Sequence, residues 1–304
     1  MKILFMGTPE FAVESLRRLV ADGHEICGVF TQPDKPRNRN KVTFSPVKEY
    51  ALSRNLPVYQ PVSVREGEAL ALVEQLAPEL IVTAAYGRLL PEEILNYPRY
   101  GAINVHASLL PKYRGAAPIN WAILNDEPVA GVSVMYMVKA LDAGDVIRME
   151  QLPVEDNDAP TLTARLAALG GDVLSAAVRD LEAGTAVRTP QDESRHTYAS
   201  MLGREMSPID WTRPARAIHC QIRGLIPWPC ASTDAINGEI MKIYAAEETG
   251  ERTSATPGTV VAAGKQGIDM ACGDGKVLRI KELQAQGGKR MAAAAYLLGH
   301  PIRL

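Results

Sequence analysis

Three side chains near the middle of the chain, Asn104, His106 and Asp142, carry the groups needed to move an acyl group. An amide NH₂ can donate a hydrogen bond to an oxygen that becomes negative when a carbonyl is attacked. A histidine can move a proton near neutral pH, and an aspartate can fix its tautomer or hold a bridging water. No serine or cysteine lies in a nucleophile-elbow motif. The set therefore predicts acyl transfer to an external nucleophile, without a covalent enzyme intermediate.

Each of the three residues also has a purely structural explanation. Histidines at strand ends are commonly hydrogen-bonded structural groups, and Asn104 could tie down a turn. Asp142 could close its own loop. Residue types and spacing alone leave both interpretations open.

A strand at 101–107 is expected to present two of these groups. Apolar residues alternate into Asn104 and His106, and Pro111 and Gly115 then bracket a turn that cannot continue the strand. Side chains two apart on a strand project to the same side. In an open α/β sheet, ligands bind at the carboxyl ends of the strands, and we place the active site there.

Strand and helix patterns alternate through the first part of the chain, which predicts an α/β fold with a doubly wound, mostly parallel, Rossmann-like sheet. Thr8 is expected to cap the first helix, with Pro9 in its first turn. The predicted strands are 2–6, 25–31, 80–84, 101–107, 131–138 and 146–154, and the predicted helices include 47–54, 116–124 and 161–181.

The second part of the chain has a different pattern. Residues 184–206 are polar and are predicted to form a linker between a first domain, 1–183, and a second domain, 207–304. A helix at 211–223 precedes short strands separated by turns, which favour a small OB-like β-barrel. Such barrels often bind nucleic acids, although a fold alone does not imply a function. The predicted short strands are 241–245, 258–262, 268–272 and 277–283.

Composition and motifs exclude several classes of protein. With 46% hydrophobic and 22% charged residues and a net charge of −2, the chain is typical of a soluble globular protein. Its opening turn has a single glycine and a proline, which argues against a dinucleotide fingerprint. The four cysteines are scattered, so we expect no metal site. No apolar run approaches ~18 residues, so we expect a cytoplasmic protein without a membrane span.

A basic segment interrupts the periodicity after the second predicted strand. Lys35, Arg37, Arg39 and Lys41 lie within residues 32–45, and Asp34 is the only acidic residue there. Such a run can be a solvated, mobile loop or a flexible arm that contacts phosphates, and both can hold.

Several motifs resemble those of the folate-dependent formyltransferases. The core of the likeness lies in NVHASLLP (104–111), RGAAP (114–118) and LDAGD (141–145). Over nearly the whole chain the likeness is closest to the branch of the family that acts on methionyl-tRNA. The further motifs are MGTPEFA (6–12), TQPD (31–34), SPVK (45–48), IDW (209–211), IRG (222–224) and PWP (227–229).

The resemblance implies a reaction and its site residues. The formyl donor would be 10-formyltetrahydrofolate, a co-substrate, and the acceptor would be the amino group of initiator methionyl-tRNA. Catalysis falls on Asn104, His106 and Asp142, with no metal. Folate binding falls on Ser108, Leu109, Leu110 and Pro111, and on the turn formed by Arg88, Leu89 and Leu90.

The resemblance also assigns tRNA binding to Lys35, Arg37, Arg39 and Lys41, and we expect a monomer. Further basic residues of the second domain are candidates for phosphate contacts, although an ordinary surface charge is the stronger interpretation of each. These candidates are Arg223, Lys281, Lys289 and Arg290.

Three other functions compete with this one. A formyltransferase acting on a sugar-nucleotide amine would use the same three catalytic residues, but the basic segment favours tRNA. A short enzyme acting on glycinamide ribonucleotide would lack the last hundred or so residues. A non-catalytic folate or RNA binder would not need the set of amide, imidazole and carboxylate.

Overall fold

The structure, a computed structural model, describes residues 1–37, 41–65 and 67–302, with the backbone alone at 35–37, 41 and 42. The chain divides into two compact units. Residues 119–128 and 154–162 lie within the predicted first domain but pack with the second unit, and both units share the predicted linker 184–206. The first unit is Met1–Pro118, Val129–Pro153 and Thr163–Ala199, and the second is Ile119–Pro128, Val154–Leu162 and Ser200 onward.

Strands and helices alternate up to residue 183, as the sequence predicts. The strands up to residue 183 are β1 (Lys2–Gly7), β2 (Glu25–Phe30), β3 (Lys35–Arg37), β4 (Lys41–Thr43), β5 (Val58–Tyr59), β6 (Leu80–Ala84), β7 (Ala102–His106), β8 (Arg114–Gly115), β9 (Val129–Tyr136) and β10 (Val146–Pro153). A further strand, β11 (Tyr198–Ala199), follows later in the chain. The helices are α1 (Glu10–Ala21), α2 (Pro46–Ser53), α3 (Gly67–Leu76), α4 (Glu92–Leu95), α5 (Pro118–Leu124) and α6 (Ala159–Ala183).

The first unit is built on a seven-stranded sheet in the order β10-β9-β7-β6-β1-β2-β5. The pairs from β7 through to β5 are parallel, whereas β9 and β10 are antiparallel additions at one edge. Ile3, Leu4 and Phe5 of the central strand β1 are fully buried, as expected where both faces of a parallel sheet are covered. The predicted α/β fold with a mostly parallel sheet is confirmed.

The start of α1 differs from the expectation. Pro9, not Thr8, is the N-cap residue, and no side chain caps the helix. The Thr8 hydroxyl instead accepts a hydrogen bond from the Gln32 backbone N–H at 3.3 Å. Thr8 therefore ties the end of β1 to the segment after β2, at the carboxyl edge of the sheet.

Helix α6 packs against the strand that carries the candidate site. A Cβ atom at Gly170 would lie 3.2 Å from Val105 Cγ1 of β7, so glycine allows the helix to approach the sheet closely. The helix is long and apolar enough to cross a membrane, but 56% of its most apolar window is buried inside the protein. This burial is typical of a core helix.

The second unit contains an antiparallel sheet in the order β12-β13-β16-β15-β14, with β17 paired to β16. The helix predicted at 211–223 begins only at Ala215, after Pro214, and the final helix was not predicted. The OB-like barrel remains a prediction. The elements are α7 (Ala215–Gly224), β12 (Ala231–Thr233), β13 (Met241–Arg252), β14 (Val260–Gly264), β15 (Gly267–Ala271), β16 (Lys276–Ala285), β17 (Met291–Ala292) and α8 (Ala293–Gly299).

Candidate active site

The amide of Asn104 is oriented by the neighbouring strand. Strands β6 and β7 run parallel with Thr83 opposite Asn104, and the Thr83 hydroxyl donates to Asn104 Oδ1 at 2.7 Å. Because this contact uses the amide oxygen as acceptor, the two N–H donors are what Asn104 can offer to a ligand. This is the group that the predicted chemistry requires.

His106 is buried at the end of β7. Its Nε2 lies 2.9 Å from the carbonyl oxygen of Tyr113. A carbonyl can only accept, so this contact places a proton on Nε2. The other ring nitrogen, Nδ1, lies 3.7 Å from Asp142 Oδ2. That distance is too long for a direct hydrogen bond, but it allows charge interaction and a single bridging molecule.

Asp142 is presented by a tightly constrained loop. Its carboxylate Oδ2 accepts a hydrogen bond from the Gly115 backbone N–H at 2.9 Å, and its φ of +50° is left-handed. A Cβ atom at Gly144 would lie 1.8 Å from the Tyr136 carbonyl oxygen, so only glycine fits there. The structure thus brings Asp142 to His106 from 36 positions further along the chain, while their catalytic roles remain a prediction.

The predicted folate-binding stretch 108–111 is a tightly bonded loop. The Ser108 hydroxyl donates to the Lys112 carbonyl at 2.6 Å, and the Ser133 hydroxyl donates to the Ser108 carbonyl at 2.7 Å. The Leu110 N–H donates to Ser133 Oγ at 3.2 Å, and the Leu110 side chain packs in a buried cluster. These side chains therefore shape the loop, and Pro111 closes it.

The predicted turn 88–90 presents its residues in different directions. Leu90 is buried in the core of the first unit, whereas the Leu89 side chain is 54% exposed. The Arg88 guanidinium donates to the Val62 carbonyl oxygen. A cavity of about 270 Å³ adjoins this turn, lined by Ser63, Val64, Arg65, Arg88 and Leu89.

The basic segment forms a short antiparallel hairpin rather than an open loop. Strand β3 pairs with β4, with Lys35 opposite Thr43 and Arg37 opposite Lys41. Arg39, the fourth of these predicted tRNA-binding residues, lies outside the described residues. The tRNA-binding role of these four residues remains a prediction.

A network of side chains holds the base of this hairpin. The Lys48 ammonium donates to the Asp34 carboxylate and to Gln60 Oε1, and Gln60 Nε2 donates to Asp34 Oδ1 at 3.0 Å. The hydrogen bond from Lys48 lowers the pKa of Asp34. A cavity of about 310 Å³ opens beside this network, where β1, β2 and β6 end. It is lined by Thr8, Pro9, Gln32, Pro33, Asp34, Thr43, Ser45, Ala85, Tyr86 and Gly87.

Residues 184–206, which the sequence predicts as a linker, contain a segment that supports the site. Strand β11 pairs in parallel with β8, with Tyr198 opposite Arg114 and Ala199 opposite Gly115. Gln191 donates to the carbonyls of Asp142 and Gly144. These contacts are polar and join residues that are far apart along the chain, so no hydrophobic periodicity marks the segment.

One candidate for phosphate binding is wrong. Arg223 is only 5% exposed, and its Nη1 donates to the carbonyl oxygens of Glu155 and Asn157 at 3.1 and 2.8 Å. It is a structural residue of the second unit. Lys281 and Arg290 lie at the surface but pair with Glu247 and Glu282, and Lys289 is exposed.

Comparison with known proteins then decides the family. Residues 1–178 match the family model described as formyl transferase, and residues 201–301 match formyl transferase, C-terminal domain. The chain belongs to the formyl transferase family. It is a transferase, as the residues at the end of β7 predict. Among the residues described, no three His, Cys, Asp or Glu side chains form a group that could hold a metal ion.

Curated relatives cover this formyl transferase almost end to end. A methionyl-tRNA formyltransferase of Caldanaerobacter subterraneus is 48% identical over 99% of this chain and 98% of its own length. The methionyl-tRNA formyltransferase of Bacillus subtilis is 47% identical over 98% of this chain and 94% of its own length.

Solved structures of more distant proteins share the fold. An N-formyltransferase from Helicobacter canadensis, solved with folinic acid and dTDP-3-aminofucose, has a TM-score of 0.70 at 19% identity, covering 92% of this chain and 99% of its own. HypX from Aquifex aeolicus, solved with tetrahydrofolic acid, has a TM-score of 0.66 at 20% identity, covering 98% of this chain and 47% of its own.

Proposed function

We propose that this enzyme transfers a formyl group from 10-formyltetrahydrofolate to the amino group of methionine carried by initiator tRNA, for the initiation of translation. The observation that carries the proposal is the likeness to proteins named methionyl-tRNA formyltransferase, at 45–48% identity over nearly the full chain. The reaction needs charged tRNA, so the proposed place of action is the cytoplasm. The monomeric state stays a prediction.

The choice of tRNA over a sugar nucleotide has a second support. The formyltransferases among the solved structures whose titles name a sugar or a sugar nucleotide are only 18–19% identical to this chain. Strands β3 and β4 carry Lys35, Arg37 and Lys41, and together with Arg39 these residues form a run of cations in the sequence that suits a phosphate backbone. A single sugar nucleotide has no need of such a run.

The proposed folate site lies at the carboxyl ends of β6 and β7. The turn 88–90 follows β6 and the loop 108–111 follows β7, and these parallel strands are adjacent. Leu89 offers exposed apolar surface that a flat pteridine ring could cover. The folates bound in two structural neighbours support this class of donor.

In the proposed reaction, the methionyl amine attacks the formyl carbon and a new C–N bond forms. The formyl oxygen becomes negative, and the N–H donors of Asn104 stabilise it. The carbon–N10 bond then breaks, the C=O double bond re-forms, and N10 leaves with the proton that the amine has lost. Tetrahydrofolate and the formylated amine are the products, so all atoms are accounted for.

His106 carries that proton through Nδ1. The Tyr113 carbonyl holds the proton already on Nε2, so Nδ1 is the nitrogen that can accept another. Protonation makes the ring a cation, and the Asp142 carboxylate 3.7 Å away stabilises it. Proton transfer by a positioned side chain typically contributes about 10²–10⁴-fold to a rate.

The direct test combines purified protein, 10-formyltetrahydrofolate and either methionyl-tRNA or a sugar-nucleotide amine, and follows formyl-amide formation. We expect product with initiator methionyl-tRNA and none with the sugar nucleotide. Turnover of the sugar nucleotide alone would replace the proposed function, and binding of folate or tRNA without any product would refute catalysis.

A further inference from the structure

The segment 189–199 touches both sides of the candidate active site. We propose that Gln191 is a positioning residue for formyl transfer: it fixes the loop that presents Asp142 to His106, and the buried Arg114, paired with the exposed Glu193, holds Gln191 in place. The inference rests on the proposed function for its kinetic test, but its structural test is independent of activity.

Gln191 uses both ends of its amide. Its Nε2 donates to the carbonyl oxygens of Asp142 and Gly144, each at 2.8 Å. Its Oε1 accepts from Arg114 Nε at 3.0 Å and from Arg114 Nη2 at 2.8 Å. One side chain therefore joins the backbone on both sides of Ala143 to a buried cation.

The loop needs an external support of this kind. Asp142 has a left-handed φ, a conformation that costs a non-glycine residue free energy. The carbonyls of Asp142 and Gly144 both point to Gln191, so its two donors bind the loop only when Asp142 has this backbone shape. The carboxylate is thereby aimed at the Gly115 N–H and at His106.

Arg114 holds Gln191 in turn. Arg114 is 2% exposed, and its two Nη atoms donate to the two Glu193 oxygens at 3.1 and 2.6 Å. This fork geometry fixes the plane of the guanidinium. The hydrogen bonds that Arg114 donates to Glu193 raise the pKa of Arg114 and lower the pKa of Glu193.

The same segment also positions His106. The Thr197 hydroxyl accepts from the Tyr113 N–H at 2.9 Å, and the Thr197 carbonyl accepts from the Arg114 N–H at 2.9 Å. Tyr113 is thus held while its carbonyl accepts from His106 Nε2. Segment 189–199 therefore sets both the acceptor that fixes the imidazole and the loop that carries the carboxylate.

A neutral amide suits this position better than a carboxylate. A carboxylate could still accept from Arg114, but it could not donate to the Asp142 and Gly144 carbonyls, and it would place a negative charge beside them. Gln191→Glu is therefore the informative substitution. The matched control is Gln151→Glu, which makes the same change at an exposed position on β10.

The kinetic test measures kcat and KM for both substrates. We expect Gln191→Glu to lower kcat by up to about 100-fold, the order of loss for a misplaced catalytic group, with both KM values within about twofold of wild type. Gln151→Glu should match the wild type. Equal kcat values for the two variants, or a loss confined to KM, would overturn the proposal.

The structural test follows the His106 ring nitrogens by ¹⁵N NMR in the protein without substrates. We expect their signals to move in Gln191→Glu and to stay in Gln151→Glu; unmoved signals would overturn the proposal. If Gln191→Glu does not fold, Glu193→Gln serves instead, with a smaller loss of kcat and the same movement of the signals. A wild-type protein that forms no product refutes the proposed function and leaves this NMR result to decide the positioning role.

Discussion

Two arginine-centred networks, one in each unit, use the same chemistry for different ends. The Arg114 network (Arg114, Gln191 and Glu193) reaches the candidate catalytic loop through the neutral amide of Gln191. In the Arg216 cluster (Arg216, Asp126, Asp156 and Glu248), the guanidinium meets three carboxylates directly. The neutral amide of Gln191 adds no second charge beside Asp142. The Arg216 cluster contains no proposed catalytic residue, so carboxylates can surround its guanidinium without disturbing a reaction.

The difference in burial has an energetic meaning. Arg114 is 2% exposed, although its partner Glu193 has a side chain that is 65% exposed, so the buried guanidinium depends on Gln191 and Glu193 for its hydrogen bonds. The Arg216 side chain is 37% exposed, so water screens its ion pairs and each contributes less. We expect substitutions in the first network to change activity, and substitutions in the second to change stability alone.

The largest effect is expected at Asn104, which belongs to the same candidate active site as the Asp142 loop that the Arg114 network holds. Asn104→Ala removes the proposed donor to the developing oxyanion, and the loss of one such donor costs roughly 10²–10³ in kcat. Formyl-transfer kinetics measure it, with folding checked by circular dichroism. Arg216→Met is the comparison and should keep kcat. A near-normal kcat for Asn104→Ala would remove that residue from its proposed role.

The sequence predicts the candidate catalytic residues far better than it predicts the Arg114 network that supports them. Asn104 and His106 are two apart on one strand, so alternation alone places them together. Asp142 could be joined to them only through the rule that loops meet at the carboxyl edge of an α/β sheet. The Arg114 network was invisible, because Gln191 and Glu193 lie in a polar stretch that follows no periodic pattern.

Polar contacts without a periodic pattern also explain the other differences between the predicted and the observed structure. Strand β13 continues to Arg252, past the predicted end at residue 245, because polar residues such as Glu247 pair across to β16, opposite Arg279. Arg223 was taken for a surface cation because charge says nothing of the carbonyls that meet it. Hydrophobic periodicity finds elements that bury apolar surface, and it misses contacts made by polar groups.

Unlike Arg114 and Arg216, which pair with other side chains of the protein, Arg39 is expected to contact the tRNA substrate. Arg39→Ala should raise KM for methionyl-tRNA by up to about tenfold and lower the salt dependence of binding by about one unit of log–log slope. Its kcat and its KM for the folate should not change. The measurement is a salt series of KM, with Arg17→Ala as the control. An unchanged KM and slope would refute a phosphate contact at Arg39.

The Arg216 cluster should affect stability without affecting catalysis. Arg216→Met removes hydrogen bonds to Asp126 and Asp156, and we expect a loss of about 1 kcal/mol in the free energy of unfolding, the upper end for partly exposed pairs. Urea denaturation at pH 7 measures it, with Arg213→Met as an exposed control. A fall in kcat for folded Arg216→Met protein would show that the two networks do not divide their tasks in this way.

The smallest expected effect is a change with pH in the difference between the free energies of unfolding of the wild type and Arg216→Met. The hydrogen bonds from Arg216 lower the pKa values of Asp126 and Asp156 below the usual 3.8. A carboxyl with a lowered folded-state pKa contributes stability above its unfolded value, and that contribution is lost as the pH falls through the folded value. The difference between wild type and Arg216→Met should therefore be constant from pH 7 to about pH 5 and shrink below about pH 4. Urea denaturation at each pH measures the difference, and a constant difference down to pH 3 would mean that these carboxylates do not draw their stability from Arg216.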